Sequence, residues 1–304
     1  MASQRISASG VLLDPQPTNF VATDTSQNGC FQYGPGGAAV GTSNALIVFL
    51  CPSGATPGLY GLLLPFDGSA SILGTFPIHT YLNNNAAYDN APTVAFDGTN
   101  FLVAWANTLV FNGGSATSIV FSRISTSGTV LDAVPVVASS AGAGQAFPAL
   151  AFDGTNYLLA WRDSRLAGNV PANDVGQFYG TRVTPAGALL DGTAATGGFP
   201  ISANDLRRRS RAVLAFDGTE YILVWGDEGD MGGNGQRGIV GARISPSGAA
   251  IGTAGFEMTI SGPPSGSLIG VPVMGCALAS PGQVTLMWNN GVVGAGSFFS
   301  TIHP

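Results

Sequence analysis

Two carboxylates each stand two residues after a tryptophan, in "WRD" at Trp161–Asp163 and "WGD" at Trp225–Asp227, 64 positions apart. Carboxylates at matching places in neighbouring repeats can converge, and a carboxyl pair flanking a glycosidic bond, one as acid and one as base or nucleophile, is what glycoside hydrolysis requires. Charge gathers around them in a chain otherwise poor in it: Arg162 and Arg165 by the first, Glu228 and Asp230 by the second, and "RRRSR" at Arg207–Arg211 between. Those arginines can grip a carboxylate or phosphate bidentately, or bridge to the acidic stretch beside them. Asp227, Glu228 and Asp230 could offer oxygens to Ca2+, although their spacing departs from the EF-hand pattern. No other cofactor is expected. Tyr81, Asn85, Tyr88 and Asp89 in "YLNNNAAYDN" combine flat aromatic faces with polar groups suited to sugar rings and hydroxyls. His79 and His303 are the only histidines, and neither G-x-S-x-G nor H-E-x-x-H occurs, so a Ser-His-Asp triad or a histidine-rich metal site has little to work with.

The elements that must position these residues are written in repeats. "VAFDGTNFLVAW" closes at Trp105, "LAFDGTNYLLAW" at Trp161 and "LAFDGTEYILVW" at Trp225, with degenerate copies closing at Phe49 and Trp288. Successive closing aromatics lie 56, 56, 64 and 63 residues apart, and the step from Trp288 through the C-terminus to Phe49 is 65. A period that also holds across the termini describes a ring rather than an open solenoid. A second motif fills the other half of each unit: "RISTSGTVLD" from Arg123, "RVTPAGALLD" from Arg182, "RISPSGAAIG" from Arg243, and "RISASGVLLD" from Arg5 at the start of the chain. Alternating apolar and small residues bounded by Gly, Pro and Asp predict four antiparallel strands per unit, such as "PALAF", "YLLAW", "QFYGTRV" and "ALLD" onward to "FPIS".

The predicted fold is therefore all-β: a single five-bladed β-propeller over 1–304, four antiparallel strands per blade. The blades are centred near 37–80, 91–139, 147–202, 211–261 and 272–304, the last completed by residues 5–23. Asp-Gly is expected to supply the positive φ angles of a tight hairpin, so that Asp97, Asp153 and Asp217 act as turn residues rather than metal ligands. The long connections Pro77–Ala91, Arg162–Val175, Asn204–Arg211 and Gly226–Gly238 are expected on one face, where loops that differ between blades carry function.

The repeated "AFDGTNYLxAW … RISxSG" unit resembles the repeat of poorly characterised exported bacterial propeller proteins, clearly over three blades and faintly over two. Tachylectin-type lectins and furanosidase-type glycoside hydrolases share the five-bladed architecture, a likeness that does not extend to sequence. The resemblance implies fold rather than activity.

Composition bounds the rest. Only 9% of residues are charged, 45% are hydrophobic, and the net charge is −6, which speaks against a partner held by its phosphate backbone. No apolar run is long enough for a membrane-spanning helix, and the opening "MASQRISASG" lacks the apolar core of a secretory signal. The wealth of Thr, Ser, Asn and Gly suits a secreted, periplasmic or cell-surface protein. Cys30 and Cys51 fall at one end of the first blade and are expected to form a disulfide, with Cys276 a small buried residue. The leading expectation is a non-enzymatic binding or assembly module, meeting glycan or protein through Tyr81, Asn85, Tyr88, Asp89, Arg162, Asp163, Arg165, Asp227 and Asp230. The alternatives are a glycoside hydrolase-like enzyme with carboxylates at the central depression, or a self-associating structural subunit. Asp163 is placed in a loop, where its removal would leave folding nearly intact.

Overall fold

The computed structural model describes residues 2–3, 18–19, 36–51, 56–66, 75–80, 92–111, 114–141, 144–165, 175–203, 205, 207–227, 229, 238–251, 258–261, 276–280, 283–288 and 298–302. All regular structure among them is antiparallel β. A small sheet pairs β1 (Ala2–Ser3) with β2 (Thr18–Asn19). Four four-stranded sheets follow in chain order: β3 (Gly37–Val40), β4 (Asn44–Cys51), β5 (Gly58–Pro65) and β6 (Thr75–Thr80); β7 (Thr93–Phe96), β8 (Asn100–Phe111), β9 (Gly114–Ser125) and β10 (Val136–Ser139); β11 (Gln145–Phe152), β12 (Tyr157–Asp163), β13 (Gln177–Val183) and β14 (Phe199–Pro200); β15 (Arg209–Phe216), β16 (Tyr221–Asp227), β17 (Gly238–Ile244) and β18 (Met258–Ser261). A three-stranded sheet of β19 (Cys276–Ser280), β20 (Gln283–Trp288) and β21 (Phe298–Ile302) ends the chain. Each sheet is a simple meander. The first strand of each larger sheet packs on the first strand of the next, β3 on β7, β7 on β11, β11 on β15 and β15 on β19, which is the arrangement of a β-propeller.

The core lies between sheets. Trp105, Trp161 and Trp225 are wholly buried, each among side chains of its own sheet and the one before: Trp161 with Phe121 and Ala138, Trp225 with Phe178 and Ile201, Trp105 with Leu46 and Leu59. In β12 and β16 the strand continues two residues past the tryptophan, to Asp163 and Asp227.

The repeated Asp-Gly is a turn, but not the two-residue hairpin expected. Only Gly98, Gly154 and Gly218 take positive φ (+96°, +95° and +102°), whereas the preceding aspartates do not. Each aspartate instead accepts two backbone N–H groups on one oxygen: Asp153 Oδ1 from Thr155 and Asn156, Asp97 from Thr99 and Asn100, Asp217 from Thr219 and Glu220, all at 2.7 Å. The loop is four residues long and closed by its own carboxylate. A tilted aromatic pair flanks it, Phe96–Phe101, Phe152–Tyr157 and Phe216–Tyr221, with centroids 4.8, 4.8 and 5.1 Å apart. The tyrosine hydroxyls then reach the preceding turn: Tyr157 donates to the Asn100 carbonyl at 3.2 Å and Tyr221 to that of Asn156 at 2.9 Å.

The arginine motif closes the other turn on the same face. Arg123 donates its backbone N–H, Nε and Nη2 to Asp132 at 2.7, 3.0 and 2.7 Å, and Arg182 engages Asp191 in the same way. Arg182 also donates to the Pro246 carbonyl of the next sheet at 3.2 Å. The third copy has Gly252 where the aspartate would stand, and there Arg243 bonds Glu220 at 2.5 Å, the residue that replaces the Asn of "FDGTN".

Two strand expectations are corrected. "ALLD" is not a strand; Leu189 makes a single bridge to Val183, and the outer strand is reduced to Phe199–Pro200. The connection after Trp105 is no irregular loop either, since β8 and β9 pair without a break from Asn100–Ser125 out to Phe111–Gly114, as β-branched residues and Asn112-Gly113-Gly114 favour.

Burial, and after it the neighbouring Asp97 and Asp153 carboxylates, push the Tyr157 and Tyr221 phenols far above their ordinary value. Folded phenols therefore keep their protons where unfolded ones, titrating near 10, lose them, so this stability is complete below pH ~10 and falls as pH rises beyond it. Melting temperatures should drop steeply above pH ~10 in the wild type and less steeply in a Tyr157→Phe/Tyr221→Phe double variant, which should itself be about 1–2 kcal/mol less stable at neutral pH.

Candidate functional site

Of the residues expected to form a site, Tyr81, Asn85, Tyr88, Asp89 and Asp230 lie outside the described residues, as does Cys30. Arg162, Asp163, Arg165 and Asp227 gather at one end of adjacent sheets. The placement of Asp163 and Asp227 in loops is corrected: each is the last residue of a second strand, and both are wholly buried.

Asp163 survives burial because its lone pairs are filled. Oδ2 accepts from Arg165 Nη2 at 2.6 Å, Trp161 Nε1 at 3.0 Å and Gln145 Nε2 at 3.1 Å, and Oδ1 accepts the Arg165 backbone N–H at 2.9 Å. Gln145 Nε2 also donates to Ser139, so the preceding sheet shares this network. Arg165 stacks 3.9 Å above the Tyr179 ring and donates to the Thr196 and Gly197 carbonyls at 2.9 and 3.1 Å. Gly197 and Gly198 present those carbonyls through left-handed φ values of +65° and +67°, and a Cβ on Gly198 would stand 2.1 Å from the Gly180 oxygen.

Asp227 is held differently. Arg207 donates Nε to both its oxygens, at 3.1 and 2.8 Å, and Nη2 at 2.8 Å, while the Gly229 backbone N–H adds a fourth hydrogen bond at 3.0 Å. Arg207 of the "RRRSR" stretch thus neutralises Asp227. Arg209, wholly buried, pairs with Asp205 and donates to the Gly176 carbonyl at 2.7 Å.

The two carboxylates are linked across sheets. Arg162, next to Asp163, donates Nη1 to the Arg209 carbonyl at 3.0 Å, and Arg209 stands opposite Asp227 in the β15–β16 register. Residues that the sequence reading passed over complete the network: Gln145, Ser139 and Tyr179 carry no motif, and only their position opposite or beside the post-tryptophan strand ends marks them. Cys51 is wholly buried and disulfide-bonded.

No family model matches the sequence, and neither does any curated protein. Solved structures with a similar arrangement include the Bacteroides ovatus xyloglucan PUL protein GH43B (12% identity, 84% of this chain and 54% of that one, TM-score 0.46), a thermostable family-43 glycoside hydrolase (12%, 86% and 83%, 0.47) and an arabinanase from Bacillus subtilis (14%, 84% and 88%, 0.41). The chain spans about half the length of the first of these. The expectation of a non-enzymatic binding or assembly module is corrected here: the solved structures named above include a family-43 glycoside hydrolase and an arabinanase, the class of the alternative, and the likeness to them is one of fold.

The expectation that removing Asp163 spares the fold is reversed by its burial among four donors. Asp163→Ala and Arg165→Gln should each lower stability by about 3 kcal/mol or more in urea denaturation, since either change leaves a buried polar group without its partner. A loss below ~1 kcal/mol in both would contradict the network.

Proposed function

We propose that the chain is a carbohydrate-acting enzyme of glycoside hydrolase type, with its reaction centre at the strand ends that carry Asp163 and Asp227. The observation that carries this reading is the pair itself: two wholly buried carboxylates at matching positions of adjacent sheets, connected through Arg162 and Arg209. Held by Arg165 and Arg207, they can act as fixed charges that organise the centre beside the cationic sugar of glycoside cleavage. The acid is assigned to Glu228, which follows Asp227 in sequence and lies outside the described residues. Tyr81, Asn85, Tyr88 and Asp89 supply aromatic and polar contacts for the glycan, as their types suit. The finer architecture belongs to the same proposal: five blades, the last sheet completed by a strand from residues 5–23, in an exported protein whose Cys51 pairs with Cys30.

Purified protein assayed on a panel of aryl furanosides and pyranosides should release the aglycone from at least one, and Glu228→Gln should slow that release by about 100-fold or more with an unchanged melting temperature. Asp227→Asn should slow it comparably. Absence of cleavage across the panel, or full activity in both variants, would overturn the enzymatic reading. Thiol titration of the unfolded, unreduced chain should find one free cysteine of three, and peptide mapping should join Cys30 to Cys51; three free thiols would refute the disulfide and the exported setting with it.

A further inference from the structure

The second and third strands of one sheet run further than those of the others. In β12–β13 and β16–β17 the pairing closes at Asp163–Gln177 and Asp227–Gly238, two residues past the tryptophan, and β4 likewise ends at Cys51, two past Phe49. The matching pair of β8–β9 is Asn107–Ser118, and there the ladder continues through Thr108–Thr117, Leu109–Ala116 and Val110–Ser115 to Phe111–Gly114. These further pairs carry the ribbon about 13 Å past Asn107 and Ser118.

Contacts at its base settle how the ribbon faces. Ala106 and Ile119, opposite each other, are buried with Leu159 and Trp161 of the next sheet. Alternation along paired strands places Thr108, Val110, Ser115 and Thr117 on that same side, and there Thr117 Oγ1 accepts the Gln145 N–H at 2.8 Å while Thr117 bridges Gly144. Ile119 donates its N–H to Gln145 Oε1 at 3.1 Å, and Gln145 Nε2 is one of the donors to Asp163. The Gly144 carbonyl in turn accepts both the N–H and the hydroxyl of Ser164, each at 3.0 Å. Through Gly144 and Gln145 the ribbon is thus fastened to the strand end that carries Asp163.

We propose that the ribbon face of Thr108, Val110 and Ser115 is a wall of the carbohydrate site and binds a neutral sugar unit beside the Asp163 end. The proposal rests on the carbohydrate-acting reading above and names the class of glycan taken. Composition selects the occupant. From Gly98 to Ser122 the chain has no Asp, Glu, Lys, Arg or His, so the wall offers an acidic glycan no counter-charge. Thr and Ser hydroxyls both donate and accept, as sugar hydroxyls do, and Val110 supplies an apolar match for the C–H face of a ring. A protein partner would be met by Tyr, Trp, Met or Arg, none of which this face contains. Among the described residues no other second strand runs more than two residues past its closing aromatic, so the wall stands on one sheet alone.

Calorimetry of the full chain with xylopentaose, arabinopentaose, cellopentaose and trigalacturonate tests the wall. At least one neutral pentaose should bind about ten-fold or more tightly than trigalacturonate. Deleting Val110, Phe111, Gly114 and Ser115 joins Leu109 to Ala116 through Asn112-Gly113, which keeps the parity of the ladder and the Thr117–Gln145 bond, so the fold should be retained. That variant should bind the preferred pentaose about ten-fold or more weakly at an unchanged melting temperature, and Thr108→Val/Ser115→Ala should lose about as much. If the shortened chain unfolds, the double variant decides. Unchanged pentaose binding overturns the wall, and a lowered melting temperature with unchanged binding does so by assigning the face to packing within the chain. A preference for trigalacturonate overturns the neutral class. Binding of no member of the set overturns the wall together with the carbohydrate reading, whereas aryl-glycoside cleavage with pentaose affinity untouched in the variants overturns the wall alone.

Discussion

What holds this molecule together is the wedge of aromatic surface between one sheet and the next. A four-stranded meander buries little within itself, so its apolar face is satisfied only when the neighbouring sheet covers it, and Trp105, Trp161 and Trp225 fill that contact from the second strand of each sheet. Truncating a fully buried tryptophan costs on the order of 3–5 kcal/mol, more than any hydrogen bond in the turns. The smaller interactions act on the angle at which the wedge is driven in. The Tyr157 and Tyr221 hydroxyls tie their two sheets to the turn before, and Arg182 ties its sheet to the turn after it.

At the opposite end of the strands the constraint is electrostatic. Extending β12 and β16 past their tryptophans carries Asp163 and Asp227 into the contact between sheets, where an unpaired carboxylate would be prohibitively expensive. Each is supplied with an arginine and a backbone N–H, and Arg165 is in turn fixed by two carbonyls and a tyrosine face. Stability and any chemistry at this end therefore share the same atoms. Polar groups at this end are pre-oriented by the folding requirement that they be satisfied.

The architecture was readable because the repeat states it: the spacing of closing aromatics, the Asp-Gly turns and the third-strand segment "QFYGTRV" each fall where the sheets place them. Turn chemistry was less so, since Asp-Gly is compatible with both a two-residue hairpin and a carboxylate-capped loop, and the backbone N–H groups that the carboxylate takes are offered by any non-proline residue, as by Glu220 in the third copy. The burial of Asp163 was not visible, because it depends on Gln145 and Ser139 arriving from elsewhere in the chain, and neither residue type announces itself. Phe147 was hidden for the same reason. Its positive φ of +55° and its ring contacts with Arg162 and Arg211 arise from a bulge, which leaves no trace in the alternation of apolar and polar residues.

The exchange of partners at Arg243 has a consequence for how such a chain can be recombined. In two units the arginine finds its acid nine residues later in the same hairpin, so the hairpin carries its own neutralisation wherever it is moved. In the unit of Arg243 the acid is Glu220, contributed by the turn before β16 rather than by the hairpin itself. Segments grafted from that unit are not modular at the scale of a hairpin: residues 238–251 transplanted without 217–227 would arrive with an orphaned cation, and Glu220 left behind would be an orphaned anion. Shuffling of copies is thereby restricted to crossovers that move the turn and the hairpin together, and the repeat has become heritable only in larger blocks.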